Sequence, residues 1–247
     1  MDPDVVDPDV VDPDARGTTR EQQLATNLRR LEDRVAAACR RAGRPRRDVR
    51  VIAVTKTWPA RDVRRLAGLG MREVAENRDQ EAAPKARACA DLDLVWHFVG
   101  QLQTNKARSV AAYADVVHTV DRPRLVTSLA RGAAEHGRSL RALLQVRLDD
   151  DPHRGGADAG ELAALADLVE RTQGLELAGL MAVAPLGADA QSFFARLVRL
   201  AHDLRQDHPQ AGWLSAGMSG DLEAAVRYGA THLRIGTALL GSRPPLG

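Results

Sequence analysis

The sequence predicts an α/β protein built as a (β/α)8 TIM barrel with an extra helix at its N-terminus. Three observations carry this reading. Eight short apolar segments alternate with Ala- and Leu-rich amphipathic ones. The alternation occupies most of 247 residues, the size of one such barrel. No Gly-x-Gly-x-x-Gly follows the first strand-like segment, which disfavours the alternative, a doubly wound open sheet.

The elements follow in chain order. Residues 2–14 read DPDVVDPDVVDPD, a five-residue repeat. Its prolines remove backbone donors and its aspartates repel one another, so residues 1–17 are expected to form a disordered acidic tail and 18–247 a single domain. From Thr18 to about Ala42, residues Leu24, Leu28, Leu31, Val35 and Ala38 recur at helical spacings, and Gly43 and Pro45 end the run. Strands are then expected over 49–55, 72–77, 94–100, 116–121, 142–149, 175–184, 213–217 and 232–241. Helices are expected between them over 61–69, 78–90, 105–112, 123–136, 158–173, 189–207 and 220–229.

Composition narrows the function. Hydrophobic residues at 44% and charged residues at 28% are ordinary for a soluble domain, one large enough to bury roughly 70–75% of its unfolded surface. No apolar run approaches the ~18 residues of a membrane span, and the acidic start resembles no secretory signal. Cys39 and Cys89 make neither a disulfide framework nor a zinc motif, so a cytoplasmic setting is expected. The net charge of +2 conceals six aspartates within residues 1–15, which leave +8 on the remainder. A mildly basic body suits a phosphorylated small molecule or nucleic acid. With 3% aromatics and no basic run interleaved with them, base stacking is poorly supplied.

Of 35 basic residues only Lys56, Lys85 and Lys106 are lysines. Arginine serves as the general surface cation, and only lysine can act as an amine nucleophile. Function in a barrel sits at the C-terminal ends of the strands. Lys56 stands there, directly after VIAV, where partial desolvation disfavours its charged form and favours attack on an aldehyde; the alternative is an ion pair with a rim carboxylate such as Glu76. After the seventh strand, Ser215-Ala216-Gly217-Met218-Ser219-Gly220-Asp221 leads into a helix. Ser219 reads as its N-cap, Gly217 and Gly220 permit close backbone approach, and Gly236-Thr237 ends the eighth strand. Together these loops form the usual phosphate site of barrels, the alternative being ordinary capping and packing. Arg234 shares strand parity with His232 and Gly236; facing inward, it would bind an acid or a ring nitrogen, or pair with a carboxylate. Asp121 and Asp149–Asp151 form no metal motif, and His97 and His118 read as hydrogen-bonded core residues. A rim lysine, a phosphate pocket and an inward arginine are what pyridoxal 5′-phosphate, an aldehyde-bearing phosphorylated aromatic, requires.

The motifs AVTKT (53–57), EN (76–77) with QE (80–81), WHFVGQLQTNK (96–106), HTVD (118–121), GLMAV (179–183), SAGMSGDLEAAV (215–226) and RIGTALLG (234–241) extend the reading. In this order, from about residue 20 to the end, the chain resembles the pyridoxal phosphate homeostasis family, YggS-like in bacteria, whose barrel is of the alanine racemase N-terminal type. The resemblance implies that Lys56 carries the cofactor as a Schiff base. It implies that Ser219, Gly236 and Thr237 hold the phosphate, that Arg234 faces the pyridine nitrogen, and that Asn77 lies beside the ring. With Met218 these are the expected cofactor-binding residues. Val74, Ala75 and Arg78 replace the family's usual Phe-Gly and Tyr around Glu-Asn, and His153-Arg154-Gly155-Gly156 replaces a loop that commonly carries Lys and Gly. The function implied is intracellular vitamin B6 homeostasis by a carrier that supplies apo pyridoxal-phosphate enzymes, and with no long apolar extension in the sequence a monomer is expected. The alternative is an amino-acid racemase or related enzyme; Tyr113 and Tyr228, the only tyrosines, fall in helix-like segments away from the rim.

Overall fold

The computed structural model describes residues 19–149, 151, 154–185, 187 and 189–242. The acidic repeat and His153 lie outside them. Eight parallel strands close into a barrel in sequence order: β1 (Arg50–Val54), β2 (Glu73–Glu76), β3 (Val95–Phe98), β4 (Val116–Val120), β5 (Leu140–Gln145), β6 (Leu175–Met181), β7 (Trp213–Ser215) and β8 (His232–Ile235). The expected barrel is the observed one. Closure comes from β1 pairing with β8, with Arg50 opposite His232 and Ile52 opposite Arg234.

Outside run α1 (Arg20–Arg41), α2 (Ala60–Gly68), α3 (Asp79–Ala88), α4 (Ala107–Ala111), α5 (Pro123–Glu135), α6 (Leu162–Arg171), α7 (Ala190–Asp207), α8 (Leu222–Arg227) and α9 (Thr237–Leu240). The 105–112 and 158–173 segments each open with a 3-10 turn, Thr104–Lys106 and Ala159–Glu161. Several expected strands are cut short: β5 ends at Gln145, β6 at Met181 and β7 at Ser215, and β8 stops at Ile235, where the apolar Thr237–Leu240 run is a helical turn. Gly236, at φ −107° and ψ −82°, turns the chain there.

The N-terminal helix bears on the site. Thr19 and Gln22 close a capping box at its start, and Leu24, Leu31, Val35 and Ala38 form its buried stripe. Its polar residues then reach the loops after β7 and β8. Arg20 and Asn27 donate to the last α9 carbonyls, Leu240 O and Leu239 O, each at 3.0 Å. Arg34 clasps Glu223 and donates to Ser219 O at 2.9 Å.

Val116, Leu143, Ala178 and Met181 form a small apolar cluster. Buried polar side chains on β3, β4, β7 and β8, His97, His118, Ser215 and Arg234, lead to the site.

Candidate functional site

Lys56 sits two residues past β1, in a turn held on both sides. Thr55 donates its backbone N–H to Ala75 O at 2.9 Å and its hydroxyl to Glu76 Oε1 at 2.6 Å. Lys85, on α3, spans the same place, donating to Thr55 O at 2.9 Å and to Glu76 Oε1 at 2.5 Å. Beyond Lys56, Thr57 has φ +69°, a left-handed conformation uncommon for a β-branched residue. Its N–H donates to Glu81 Oε2 at 3.0 Å. Lys56 itself is half-buried and its amine has no hydrogen bond or ion pair among the described residues. The ion-pair alternative for Lys56 therefore belongs to Lys85, which takes the Glu76 carboxylate. Burial raises the Glu76 carboxyl against the opposing pull of Lys85 and Thr55, and its Oε2 has no partner. These bracing residues were not singled out for this role by sequence; the apolar spacing of α3 places Lys85 on its inner face only once the helix is docked.

Arg234 faces inward, as its parity predicts. Its register partner Ile52 lies four residues before Lys56 on the neighbouring strand. The guanidinium is buried and donates to Ser215 Oγ at 2.7 Å and Ala182 O at 2.8 Å. Burial lowers it to about 10, which leaves it cationic at neutral pH. Ser215 continues to His118 Nδ1 at 2.9 Å, and His118 Nε2 meets His97 Nδ1 at 2.8 Å. His97 Nε2 then meets Glu73 Oε2 at 2.6 Å, and Arg50 donates to Glu73 Oε1 at 2.9 Å. The two histidines are hydrogen-bonded core residues, as expected, but they are also links in a chain that crosses the barrel. Ser215 and Glu73 were missed; inward parity on each strand is the signal that could have found them.

Burial, with His97 and Arg234 nearby, pushes His118 well below the ordinary histidine value. Burial likewise lowers His232, stacked on Trp213, to about 3. Both rings stay neutral in the folded protein and take up protons only on unfolding. Their contribution to stability is present above about pH 6.5 and is lost as pH falls toward the folded values. The unfolding free energy from urea titrations should therefore decline from about pH 6.5 downward, at about 1.4 kcal/mol per pH unit for each ring. The His232→Gln variant should lose its share of that slope.

The loops after β7 and β8 meet. Ser219 is not an N-cap: Asp221 flanks α8, and its Oδ1 accepts the Met218 N–H at 2.6 Å. Instead Ser219 Oγ accepts the N–H of Ala238 at 3.2 Å, joining the two loops. That contact leaves its hydroxyl proton available. The backbone N–H groups of Ser219, Gly220, Gly236 and Thr237 enter none of the turn, loop or cap bonds among the described residues. Gly217 has φ +94°, and a Cβ there would lie 2.4 Å from Ala225 Cβ. Gly220 shows no such crowding. Thr237 and Met218 are exposed, and Gly236 is half-buried against Val54. Asn77 is half-buried at the end of β2, where a Cβ on Gly100 would stand 2.0 Å from its carbonyl oxygen. It borders a cavity of about 420 Å³ with Gln101, Gln103 and Lys106, on the β2–β3 side of the rim. Asp121 pairs with Arg122 and Asp149 with Arg154. Among the described residues, no group of three or more His, Cys, Asp or Glu side chains is placed to hold a metal ion.

This donor set fits a phosphorylated aromatic aldehyde. It offers an unpaired amine, a cation with three of its five N–H groups unpartnered among the described residues, and a two-loop cradle of N–H and hydroxyl donors.

Comparison with known proteins agrees. Residues 26–244 match the family described as alanine racemase, N-terminal domain. A pyridoxal phosphate homeostasis protein of Mycobacterium bovis is 43% identical over 243 residues, covering 91% of this chain and 94% of the relative. One from Escherichia coli K12 is 38% identical, covering 89% and 97%. PipY of Synechococcus elongatus PCC7942, solved with PLP bound, is 40% identical with a TM-score of 0.78, covering 89% of this chain and all of that one. An alanine racemase from Clostridium difficile, 14% identical with a TM-score of 0.68, shares the fold.

Proposed function

Because the chain belongs to the pyridoxal phosphate homeostasis family, on the alanine racemase N-terminal fold, we propose that it binds pyridoxal 5′-phosphate through a Schiff base to Lys56 and carries it as a monomer in the cytoplasm. The observation that carries this reading is the unpaired Lys56 amine in a braced turn after β1, with Arg234 buried on the adjoining strand β8 and the loops after β7 and β8 joined at Ser219. The bound cofactor supplies an aldehyde, which a neutral primary amine takes up with loss of water. Gly236, Thr237 and Ser219 hold the phosphate, Arg234 donates to the ring nitrogen, and Asn77 and Met218 border the ring.

Carriage without turnover follows from the residues around that amine. Arg234 donates a hydrogen bond but keeps its proton, so the ring nitrogen stays unprotonated and is a weak electron sink. A racemase on this fold needs a second base across the substrate. Tyr113 is held to Asp79 at 3.5 Å, and burial raises its phenol above the ordinary value. Tyr228 stacks on Phe194 with ring centroids 6.0 Å apart. Tyr113 lies in the turn after α4, and Tyr228 is the C-cap of α8.

Loaded protein should show negligible turnover with amino acids in racemase, decarboxylase and transaminase assays, yet reactivate an apo pyridoxal-phosphate enzyme. Robust racemisation that disappears in Lys56→Ala would move the protein to the enzyme class. The phosphate assignment has its own test. Ser219→Ala and Thr237→Val should each weaken pyridoxal 5′-phosphate binding by about 1.5–3 kcal/mol, as measured by equilibrium titration. Pyridoxal, which lacks the phosphate, should bind wild type and both variants alike. A variant that prefers the phosphorylated form as strongly as wild type does would place the phosphate elsewhere.

A further inference from the structure

The chain Glu73–His97–His118–Ser215–Arg234 runs through the barrel from the first residue of β2, at the end remote from the site, to the guanidinium beneath it. No step of the carrier function just proposed uses its first four members. Three of them, His97, His118 and Ser215, are fully buried, where an unsatisfied polar group costs about 1–3 kcal/mol and apolar residues would pack without that risk.

One assignment with both rings neutral satisfies every contact of the chain, and it has a direction. Arg234 has only donors, so Ser215 Oγ accepts from Nη1. The Ser215 hydroxyl then has one proton to give, and His118 Nδ1 stands 2.9 Å away. With Nδ1 accepting, a neutral His118 carries its proton on Nε2 and gives it to His97 Nδ1. His97 in turn presents Nε2–H to the Glu73 carboxylate. Every donor then points away from Arg234 and the chain ends on an anion. Burial raises the Glu73 carboxyl, but His97 and Arg50 together bring it below its ordinary value, so that terminus is anionic at neutral pH.

We propose that Ser215, His118, His97 and Glu73 are positioning residues for Arg234: they fix the guanidinium's rotation, so that its unpartnered N–H groups meet the ring nitrogen of the cofactor. Ala182 O holds Nη2 at 2.8 Å. A single contact at Nη2 leaves the plane free to swing, and the second, at Nη1, stops it. Glu73 acts at a distance by drawing the protons of the chain toward itself, which keeps a lone pair of Ser215 facing Arg234.

The inference rests on the cofactor reading, and its test separates the two. Protein is loaded with pyridoxal 5′-phosphate labelled with nitrogen-15 in the ring, and the ring-nitrogen resonance and visible absorption maximum are recorded for wild type, Ser215→Ala, Glu73→Gln and Ser219→Ala. Ser215→Ala adds no volume. Glu73→Gln lies at the partly exposed end of the chain, so it reports even where the serine variant folds poorly. Both should displace the ring-nitrogen resonance in the same direction, Ser215→Ala more, with cofactor affinity falling about two- to tenfold. Ser219→Ala should weaken binding and leave the resonance in place. Unchanged resonances in loaded Ser215→Ala and Glu73→Gln would overturn the positioning role and leave the cofactor reading intact. Wild type that takes up no cofactor would overturn the cofactor reading, and the positioning role with it.

Discussion

Lys85→Met is expected to destabilise the fold by about 3–5 kcal/mol, the cost of leaving a buried carboxylate without its partner. Lys85 is the only cation on Glu76 among the described residues, and Glu76 is fully buried with one oxygen already unpartnered. The pH dependence has a definite sign. Burial already holds the Glu76 carboxyl above its ordinary value, and removing Lys85 raises it further. A carboxyl raised in the folded state favours folding when protonated and opposes it when ionised. The unfolded-state value is common to both proteins, so the deficit of Lys85→Met relative to wild type should be small at acid pH, where Glu76 is protonated in both, and grow as pH rises through the raised folded value of wild-type Glu76. Urea denaturation at pH 4.5 and pH 7.5 measures this. The double variant Lys85→Met/Glu76→Leu should recover much of the loss at pH 7.5, because removing both charges also removes the unpaired one. The loss has a second consequence: Lys85 also holds Thr55 O, so cofactor uptake at Lys56 should slow even where the variant is folded.

Lys56→Arg is expected to eliminate covalent cofactor uptake completely. Arginine keeps much of the length, and none of the turn's bracing bonds uses the Lys56 side chain, so they are preserved. Its guanidinium stays protonated and cannot attack an aldehyde. Residual binding through the Ser219–Thr237 cradle and Arg234 should remain, at least about tenfold weaker, or about 1.4 kcal/mol. Absorption spectra of titrated protein should show free aldehyde and no Schiff-base band. Pyridoxamine 5′-phosphate, which has no aldehyde, should bind Lys56→Arg and wild type with similar affinity.

Much of this was legible in the sequence because it depended on local order. Lys56 follows an apolar run in a lysine-poor chain, and alternation along β8 turned Arg234 inward. What was not legible depended on contacts across the fold. Serine at a loop–helix junction reads as an N-cap on local propensity, but closure of the barrel brings Ala238 to Ser219, 19 residues away, and that N–H takes the hydroxyl. The Lys85–Glu76 pair requires α3 docked over β2. The interior chain requires the registers of strands that are not neighbours: β4 and β7 meet only across the barrel, where His118 reaches Ser215 over 97 residues. The end of β8 failed for another reason. Thr237–Leu240 is a short apolar run, which periodicity cannot assign between strand and helix.

The central claim is that Lys56 carries the cofactor, and with only three lysines in the chain one measurement addresses it directly. Wild-type protein loaded with pyridoxal 5′-phosphate is reduced with borohydride, digested, and its labelled peptide sequenced by mass spectrometry. Reduction is expected to abolish the visible band and leave a single phosphopyridoxyl group on the peptide containing Lys56. Recovery of the label on Lys85 or Lys106, with Lys56 unmodified, would contradict that claim.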